Sequence, residues 1–447
     1  MSVSKDNLLE LSAFEARAGI DAEEFSVEDL TRACLDRIND REKKVGAWAY
    51  LKDELALKQA QKLDLNKQSS KPTGSLFGLP VGIKDIIDTK DMPTECGSEF
   101  YKDHLPIEDS TVVRLLRKAG AVILGKTVTT EMALSAHGKT TNPLDITRTP
   151  GGSSSGSAAA VGDKMVPLAI GSQTGGSVIR PASFCGIFGY KPTFGSISRR
   201  GMSLLARRLD HVGVFARTVD DLALIADALM VYDSEDWDMV KKPGQGLVKE
   251  LSGKVRNDPT MGFVRGPAWD YADPDMATAF ENFVGNLGSK IKEIEFEGLF
   301  SNIVDCHITI MDANLASYLG ERVRDFPDKF RAETIRRVNN GRDITASDYI
   351  KALNLAEAQA YAMDSLFDHY DVLLTPAAPG EAPTGLESTG NAIFNGMWTL
   401  IGVPAVTVPL LKGKKGLPIG LQVIGRRGND TTTLKAAKWL WERFGEK

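Results

Sequence analysis

Three segments of this chain hold side chains that could carry out acyl transfer together. Gly151-Gly152-Ser153-Ser154-Ser155-Gly156-Ser157 and Thr174-Gly175-Gly176-Ser177 each set serines among glycines, and Lys84 lies upstream in Gly82-Ile83-Lys84-Asp85. A serine hydroxyl is a weak nucleophile and needs a base. A free lysine is neutral in only about one molecule in 2,500 at pH 7, but burial can lower its pKa by ~3–5. Glycines that open a helix leave backbone N–H groups free for an anion or a reacting oxygen. Lysine, two serines and such donors together supply a base, a relay, a nucleophile and an oxyanion site, with no histidine required.

Rival readings of the same residues are weaker. An isolated Gly/Ser run is often a linker, yet Ala158-Ala159-Ala160-Val161 follows directly as an apolar, helix-forming stretch, and the Gly-Gly-Ser arrangement recurs at 175–177. Gly152-Ser153-Ser154-Ser155-Gly156 matches the G-x-S-x-G elbow literally, but that elbow needs a hydrophobic strand before it. This chain has Asp145-Ile146-Thr147-Arg148-Thr149-Pro150 there instead. Gly78 to Lys84 fails as a P-loop because its lysine does not follow a glycine directly and Asp85 stands where Ser or Thr is required. The rival reading of Lys84 is a buried or snorkelling lysine in a salt bridge with Asp85, and the motif context argues against it.

The elements that must position these residues alternate. The first 65 residues read as helices: Ser26 with Asp29 has capping-box spacing, and Val27, Leu30, Cys34 and Ile38 recur at helical intervals. Strands are expected at Leu79–Ile83 (ending at Lys84), Ala121–Gly125, Met165–Ile170 and Ile187–Tyr190, with a helix over Thr111–Lys118. A helical stretch follows the polar segment Asp233–Gly246. In it Met276, Phe280, Phe283 and Leu287 share a face, and Thr345 with Asp348 caps a helix running to Met363. Strand patterns return at Val372–Leu374, Ala405–Val408 and Gly420–Ile424. Strands at both ends argue for one α/β sheet assembled from distant segments. The division expected is an N-terminal helical segment, 1–66, packed on a catalytic domain, 67–447. That domain holds a core motif region at 78–221, a helical pocket region at about 231–370 and a sheet-completing region at 371–447.

Composition narrows the class. The chain has 447 residues, 42% of them hydrophobic, and a net charge of −5 with no basic block, so neither nucleic acid nor membrane is an expected direct partner. The apolar stretch Leu400–Leu411 is broken by Pro404 and Pro409 and is too short to span a bilayer. No signal peptide is evident at Met1–Asp6, and Cys34, Cys96, Cys185 and Cys306 are scattered, which suits a cytoplasmic location. The five histidines, His104, His137, His211, His307 and His369, show no ligand spacing, so structural or surface roles are expected and no metal or cofactor.

The run Gly151–Pro192, with Gly-Gly-Ser-Ser, Thr-Gly-Gly-Ser, Arg-Pro-Ala and Gly-Tyr-Lys-Pro-Thr in order, closely resembles the amidase signature family. The resemblance extends over Gly78–Asp221 and resumes at Asp371–Pro379, Phe394–Pro409 and Gly416–Gly428. It implies a single α/β/α domain around a large central mixed sheet, and a Ser–cis-Ser–Lys triad. By it Ser177 is the nucleophile, Ser153 the serine on a cis peptide after Gly152, and Lys84 the base. The N–H groups of Thr174, Gly175, Gly176 and Ser177 match the oxyanion hole, and Ser154 a supporting serine.

Two departures bear on substrate. Gln173 stands where the family often has Asp, and Arg180 comes three residues after Ser177 rather than two, which weakens a close match to the A-type component of a tRNA-dependent amidotransferase. Gln173 could hydrogen-bond near the oxyanion turn. Arg207 and Arg208 occupy positions where relatives have small residues, making them candidates for a substrate gate or simply a solvated pair. Phe394, Trp398, Leu400, Ile401 and the 303–319 helix are candidates for core or pocket wall. The resulting expectation is a stand-alone hydrolase, monomeric or homodimeric, cleaving small or apolar amides, with aryl amides, esters and carbamates as further candidate substrates. The alternatives are an A-type component of an amidotransferase, or a non-catalytic binding protein on the same scaffold.

Overall fold

A computed structural model describes residues 5–69, 73–136, 138–244, 246–253, 258–296 and 298–445. His137, the first four residues and residues 70–72 at the start of the expected catalytic domain lie outside these residues. Eleven strands form one mixed sheet: β1 (Trp48–Leu51), β2 (Pro80–Lys84), β3 (Val122–Thr127), β4 (Leu168–Gln173), β5 (Phe188–Lys191), β6 (His211–Ala216), β7 (Met261–Val264), β8 (Ile291–Ile294), β9 (Val372–Pro376), β10 (Ala405–Lys412) and β11 (Pro418–Gly425). Their order across the sheet is β1-β3-β2-β4-β6-β5-β10-β11-β9-β7-β8. Every residue of β2, β3, β4, β5, β6 and β9 is buried. Helices therefore cover both faces, which is why β2, β3, β4, β5 and β9 show apolar runs in the sequence.

The predicted strands and helices are present, and Ser26 and Asp29 do form a capping box. Thr345 caps its helix by accepting from Asp348 N, and Met276, Phe280, Phe283 and Leu287 are the buried face of Pro274–Leu287. Four strands were not anticipated. β1 interrupts the expected all-helical N-terminal segment and pairs antiparallel with β3 at one edge of the sheet. β7 and β8 pair in parallel within the region expected to be helical, and β8 closes the opposite edge. β6 links the two parts of the sheet by pairing with both β4 and β5.

The sheet brings the chemistry-bearing segments together. β2 runs parallel to both β3 and β4, with Lys84 opposite Thr127 and Ile83 opposite Ile170. The carboxyl ends of β2 and β4 thus open on the same edge, the side on which open α/β sheets place their sites. Lys84 ends β2, and Gln173 ends β4 just before the Thr174–Ser177 turn. The helix Ser155–Gly162 starts directly after Ser154 and is made almost wholly of small, buried residues, so it packs closely on this part of the sheet.

Candidate active site

Lys84 is fully buried at the end of β2, with Nζ 2.7 Å from Ser153 Oγ and 2.9 Å from Ser172 Oγ. Burial drives its pKa well below the ordinary lysine value, against the opposing pull of Asp210 and Cys96. The amine is thereby biased toward its neutral, proton-accepting form. The peptide between Gly152 and Ser153 is cis. Its flanks are pinned: Arg180 Nη2 donates to Gly152 O at 2.6 Å, and Thr130 N to Ser153 O at 3.2 Å. Ser154 Oγ donates to Ser172 O at 3.2 Å and accepts from Ser172 N at 3.3 Å, tying the serine loop to β4.

Ser177 opens on a cavity lined by Thr174, Gly175, Gly176, Arg180, His307, Arg337 and a largely apolar wall. Of the two links a lysine–serine–serine relay needs, Lys84 to Ser153 is formed, while Ser153 and Ser177 share no hydrogen bond in this structure. Catalytic contacts in substrate-free sites often close only when substrate arrives. Among the described residues the N–H groups of Gly175, Gly176 and Ser177 find no acceptor in the chain. Three successive free donors facing a cavity can stabilise a developing oxyanion. Gly176 has no room for a side chain, since a Cβ there would lie 2.3 Å from Asn395 Oδ1.

Gln173 braces this turn. Its Oε1 accepts from Val178 N at 2.8 Å and Ile179 N at 3.1 Å, and its Nε2 donates to Thr399 Oγ1 at 3.0 Å. Thr399 in turn donates to Gly175 O at 2.7 Å. Four contributors were not singled out from sequence: Ser172, Thr399, Asp210 and His307. Thr174 Oγ1 donates to Asp210 Oδ1 at 2.5 Å, while Leu205 N and Ala206 N donate to Oδ2. His307, expected to be merely structural, lines the cavity with Nε2 2.8 Å from Thr174 O. Burial is the main cause that lowers its pKa to about 4. Ser172 alone carried a local signal, two residues ahead of the Thr-Gly-Gly-Ser turn.

Arg180 is buried and, among the described residues, faces no carboxylate. Its Nη2 bonds Gly152 O and Thr389 Oγ1, its Nε has no partner, and burial lowers its pKa to about 10, so it stays charged at neutral pH. Arg337, the other cation at the cavity, is paired with Asp312. The candidate gate residues lie elsewhere. Arg207 pairs with Asp238 at 2.8 Å and stacks on Trp237, and Arg208 reaches Glu357 at 3.5 Å; neither lines the Ser177 cavity. Phe394, Trp398 and Ile401 are core, while Ile393, Met397, Val304, Ile308 and Met311 form the apolar wall.

The amidase family model matches residues 29–434, most of the chain. The chain belongs to the amidase signature family. It is an amidase-family enzyme acting on carbon–nitrogen bonds, and its fold is that of the family. Among similar proteins, the A-type component of the glutamyl-tRNA(Gln) amidotransferase of Alkaliphilus metalliredigens is 34% identical over 477 aligned positions, covering 98% of this chain and 97% of that one. A solved structure with inhibitor bound, described as an unexpected vestigial protein complex that reveals the evolutionary origins of an s-triazine catabolic enzyme, has a TM-score of 0.90 at 27% identity, covering 97% and 98%. The peptide amidase of Stenotrophomonas maltophilia has a TM-score of 0.84 at 26% identity, covering 97% of each chain.

These likenesses correct the expectation of a monomer or homodimer that meets only a small molecule: relatives matching almost end to end are subunits, and a close structural likeness is a complex. Net charge and active-site motifs are silent on partner surfaces, which is why the sequence misled on this point. Among the described residues, no helix is long and apolar enough to cross a membrane.

Proposed function

We propose that this amidase-family chain is the amide-cleaving, A-type component of an amidotransferase-like assembly, releasing ammonia from an amide donor that carries a carboxylate. The observation that carries the reading is the 34% identity to the A-type component of a glutamyl-tRNA(Gln) amidotransferase over nearly the full length of both chains. Arg180 supports it. A buried guanidinium with no carboxylate partner among the described residues, at the edge of the Ser177 cavity, favours an anionic substrate over the apolar amides expected from sequence.

In this reading neutral Lys84 takes a proton from Ser153, and Ser153 takes one from Ser177 as Ser177 Oγ attacks the carbonyl carbon. The N–H groups of the 174–177 turn hold the oxyanion. Reversing the relay returns the proton through Ser153 to the departing nitrogen, so the C–N bond breaks with ammonia leaving and acyl-Ser177 remaining. Water then attacks the ester along the same proton path, and the acid is released. Ser172 keeps the lysine amine aimed at Ser153, and Ser154 keeps the serine loop on β4.

A second reading, a free-standing hydrolase of small apolar amides, anilides, esters or carbamates, is favoured by the apolar wall of Val304, Ile308, Met311, Ile393 and Met397. Affinity purification of the native chain with mass spectrometry, together with ammonia release from glutamine and from neutral amides, separates the two. A stoichiometric partner that accelerates ammonia release from glutamine supports membership of an assembly. Full turnover of neutral amides by the chain alone, with glutamine inert, overturns it.

A further inference from the structure

Three carbonyls of the 174–177 turn are each held by a different part of the molecule. Gly176 O accepts from Arg180 N at 3.0 Å, Gly175 O from Thr399 Oγ1 at 2.7 Å, and Thr174 O lies 2.8 Å from His307 Nε2. In a trans peptide the C=O and the following N–H point in opposite directions. A carbonyl fixed on one side of the turn therefore aims the next N–H to the other. Fixing Thr174 O, Gly175 O and Gly176 O aims the N–H groups of Gly175, Gly176 and Ser177, none of which finds an acceptor among the described residues.

Arg180 N is itself backbone, and the Thr399 hydroxyl sits on the short helix Gly396–Leu400. His307 is different, for it comes from the long helix Ile303–Asp325 in the region inserted between the two parts of the sheet motif. Its ring has been given room. A Cβ on Gly396 would lie 3.3 Å from Nδ1, tighter than ordinary contact, so the glycine there leaves the ring its space. Thr174 O can only accept, so Nε2 carries the hydrogen. Burial and the nearby Arg337 disfavour a second proton, leaving Nδ1 bare.

We infer that His307 is a positioning residue of the oxyanion hole: as the neutral Nε2–H tautomer it fixes the Thr174 peptide and so aims Gly175 N–H at the substrate oxygen. The inference rests on the acyl-transfer reading above. It also gives the inserted helical region a hand in rate as well as in substrate fit. A shift of the Ile303–Asp325 helix, by whatever binds against it, would reach the oxyanion hole through one side chain.

The test compares His307→Gln, whose amide can still donate to Thr174 O, with His307→Leu, which fills the space without a donor. Ser177 labelling by a fluorophosphonate places a phosphonyl oxygen in the same hole and needs no knowledge of the natural amide. Losing an oxyanion donor outright costs ~10²–10³ in rate, so misaiming one is expected to slow labelling by roughly 10–100-fold in His307→Leu. His307→Gln should stay within a few-fold of wild type, and reagent affinity should change little in either. Equal slowing in both variants, or none in His307→Leu, overturns the inference. A wild-type chain labelled somewhere other than Ser177 would instead remove the acyl-transfer reading, and this role with it. Should His307→Leu fail to fold, ¹⁵N-histidine spectra of the wild type decide. One imidazole, assigned by its loss in His307→Gln, should be protonated at Nε2 and bare at Nδ1 at pH 7, and should shift when Ser177 is phosphonylated. The Nδ1–H tautomer or an imidazolium there overturns the proposal.

Discussion

Lys84, Ser153, Ser154 and Ser172 are each no more than 3% exposed, whereas Ile308, on the helix that forms the facing wall, is 45% exposed. The first group sits at strand ends and on the loop tied to them, and each polar atom in it meets another at hydrogen-bond distance. The wall comes from the Ile303–Asp325 helix, the 390–395 loop and the short helix Gly396–Leu400, and it lines the cavity with Val304, Ile308, Met311, Ile393 and Met397. A paired polar cluster in a dry interior cannot be varied without leaving a buried group unsatisfied. An apolar wall carries no buried polar group to leave unpaired, so it can change shape with less penalty, most easily at exposed Ile308 and least at buried Met397. In the proposed mechanism the sheet side holds the proton relay, and the helical side supplies most of the cavity wall, with His307 reaching from it to the oxyanion turn.

Breaking the sheet side should cost most. Ser177→Ala or Lys84→Met is expected to lower amide turnover by on the order of 10⁴–10⁶-fold, with melting temperature nearly kept. Residual turnover within tenfold of wild type would dissolve the contrast between the two sides.

The pH profile reads the same group without mutation. Burial favours the neutral amine, so the folded pKa of Lys84 lies below the unfolded one. The proton-accepting form is present above that folded value and is lost as pH falls through it. The rate should therefore climb with pH and flatten before the normal lysine value of ~10.4. A rate still rising there would show a lysine that is not desolvated.

Arg180 belongs to both sides, because it pins Gly152 O and faces the cavity. Arg180→Met should raise KM for a carboxylate-bearing amide roughly 10–100-fold more than for its neutral analogue. An equal effect on both would leave Arg180 with a purely structural duty. On the wall, Ile308→Ala or Met397→Ala should alter the preference between large and small acyl groups by about tenfold, with kcat on the best substrate little changed. Smallest of all, Arg207→Ala should leave kcat and KM within about twofold, since Arg207 is occupied by Asp238 and Trp237 away from the cavity. A clear loss would return Arg207 to the role of gate.

The same division governs how much could be read in advance. Lys84, Ser153, Ser177 and the donors at 174–177 were legible because their chemistry demands particular residue types within short segments, and glycine, serine and lysine are conspicuous there. The buried strands β2, β3, β4, β5 and β9 were legible because helices on both faces force apolar runs. β1 and β8 were not: they are the sheet's two edges, they are only partly buried, and Lys292 and Glu293 break the pattern. Nor was His307. It lies 133 residues from Thr174 and carries no motif, and only the packing of its helix against the oxyanion turn makes it part of the site.

The order of residues by itself determined the chemical inventory, the α/β class and the local turns that expose backbone donors, because each depends on near neighbours along the chain. Folding alone decided that Lys84 would lie dry beside Ser153 and Ser172, that Arg180 would be left without a carboxylate, and that a histidine on a distant helix would meet Thr174. These are matters of desolvation and of contact between segments far apart, and both come into being only when the sheet closes and water leaves.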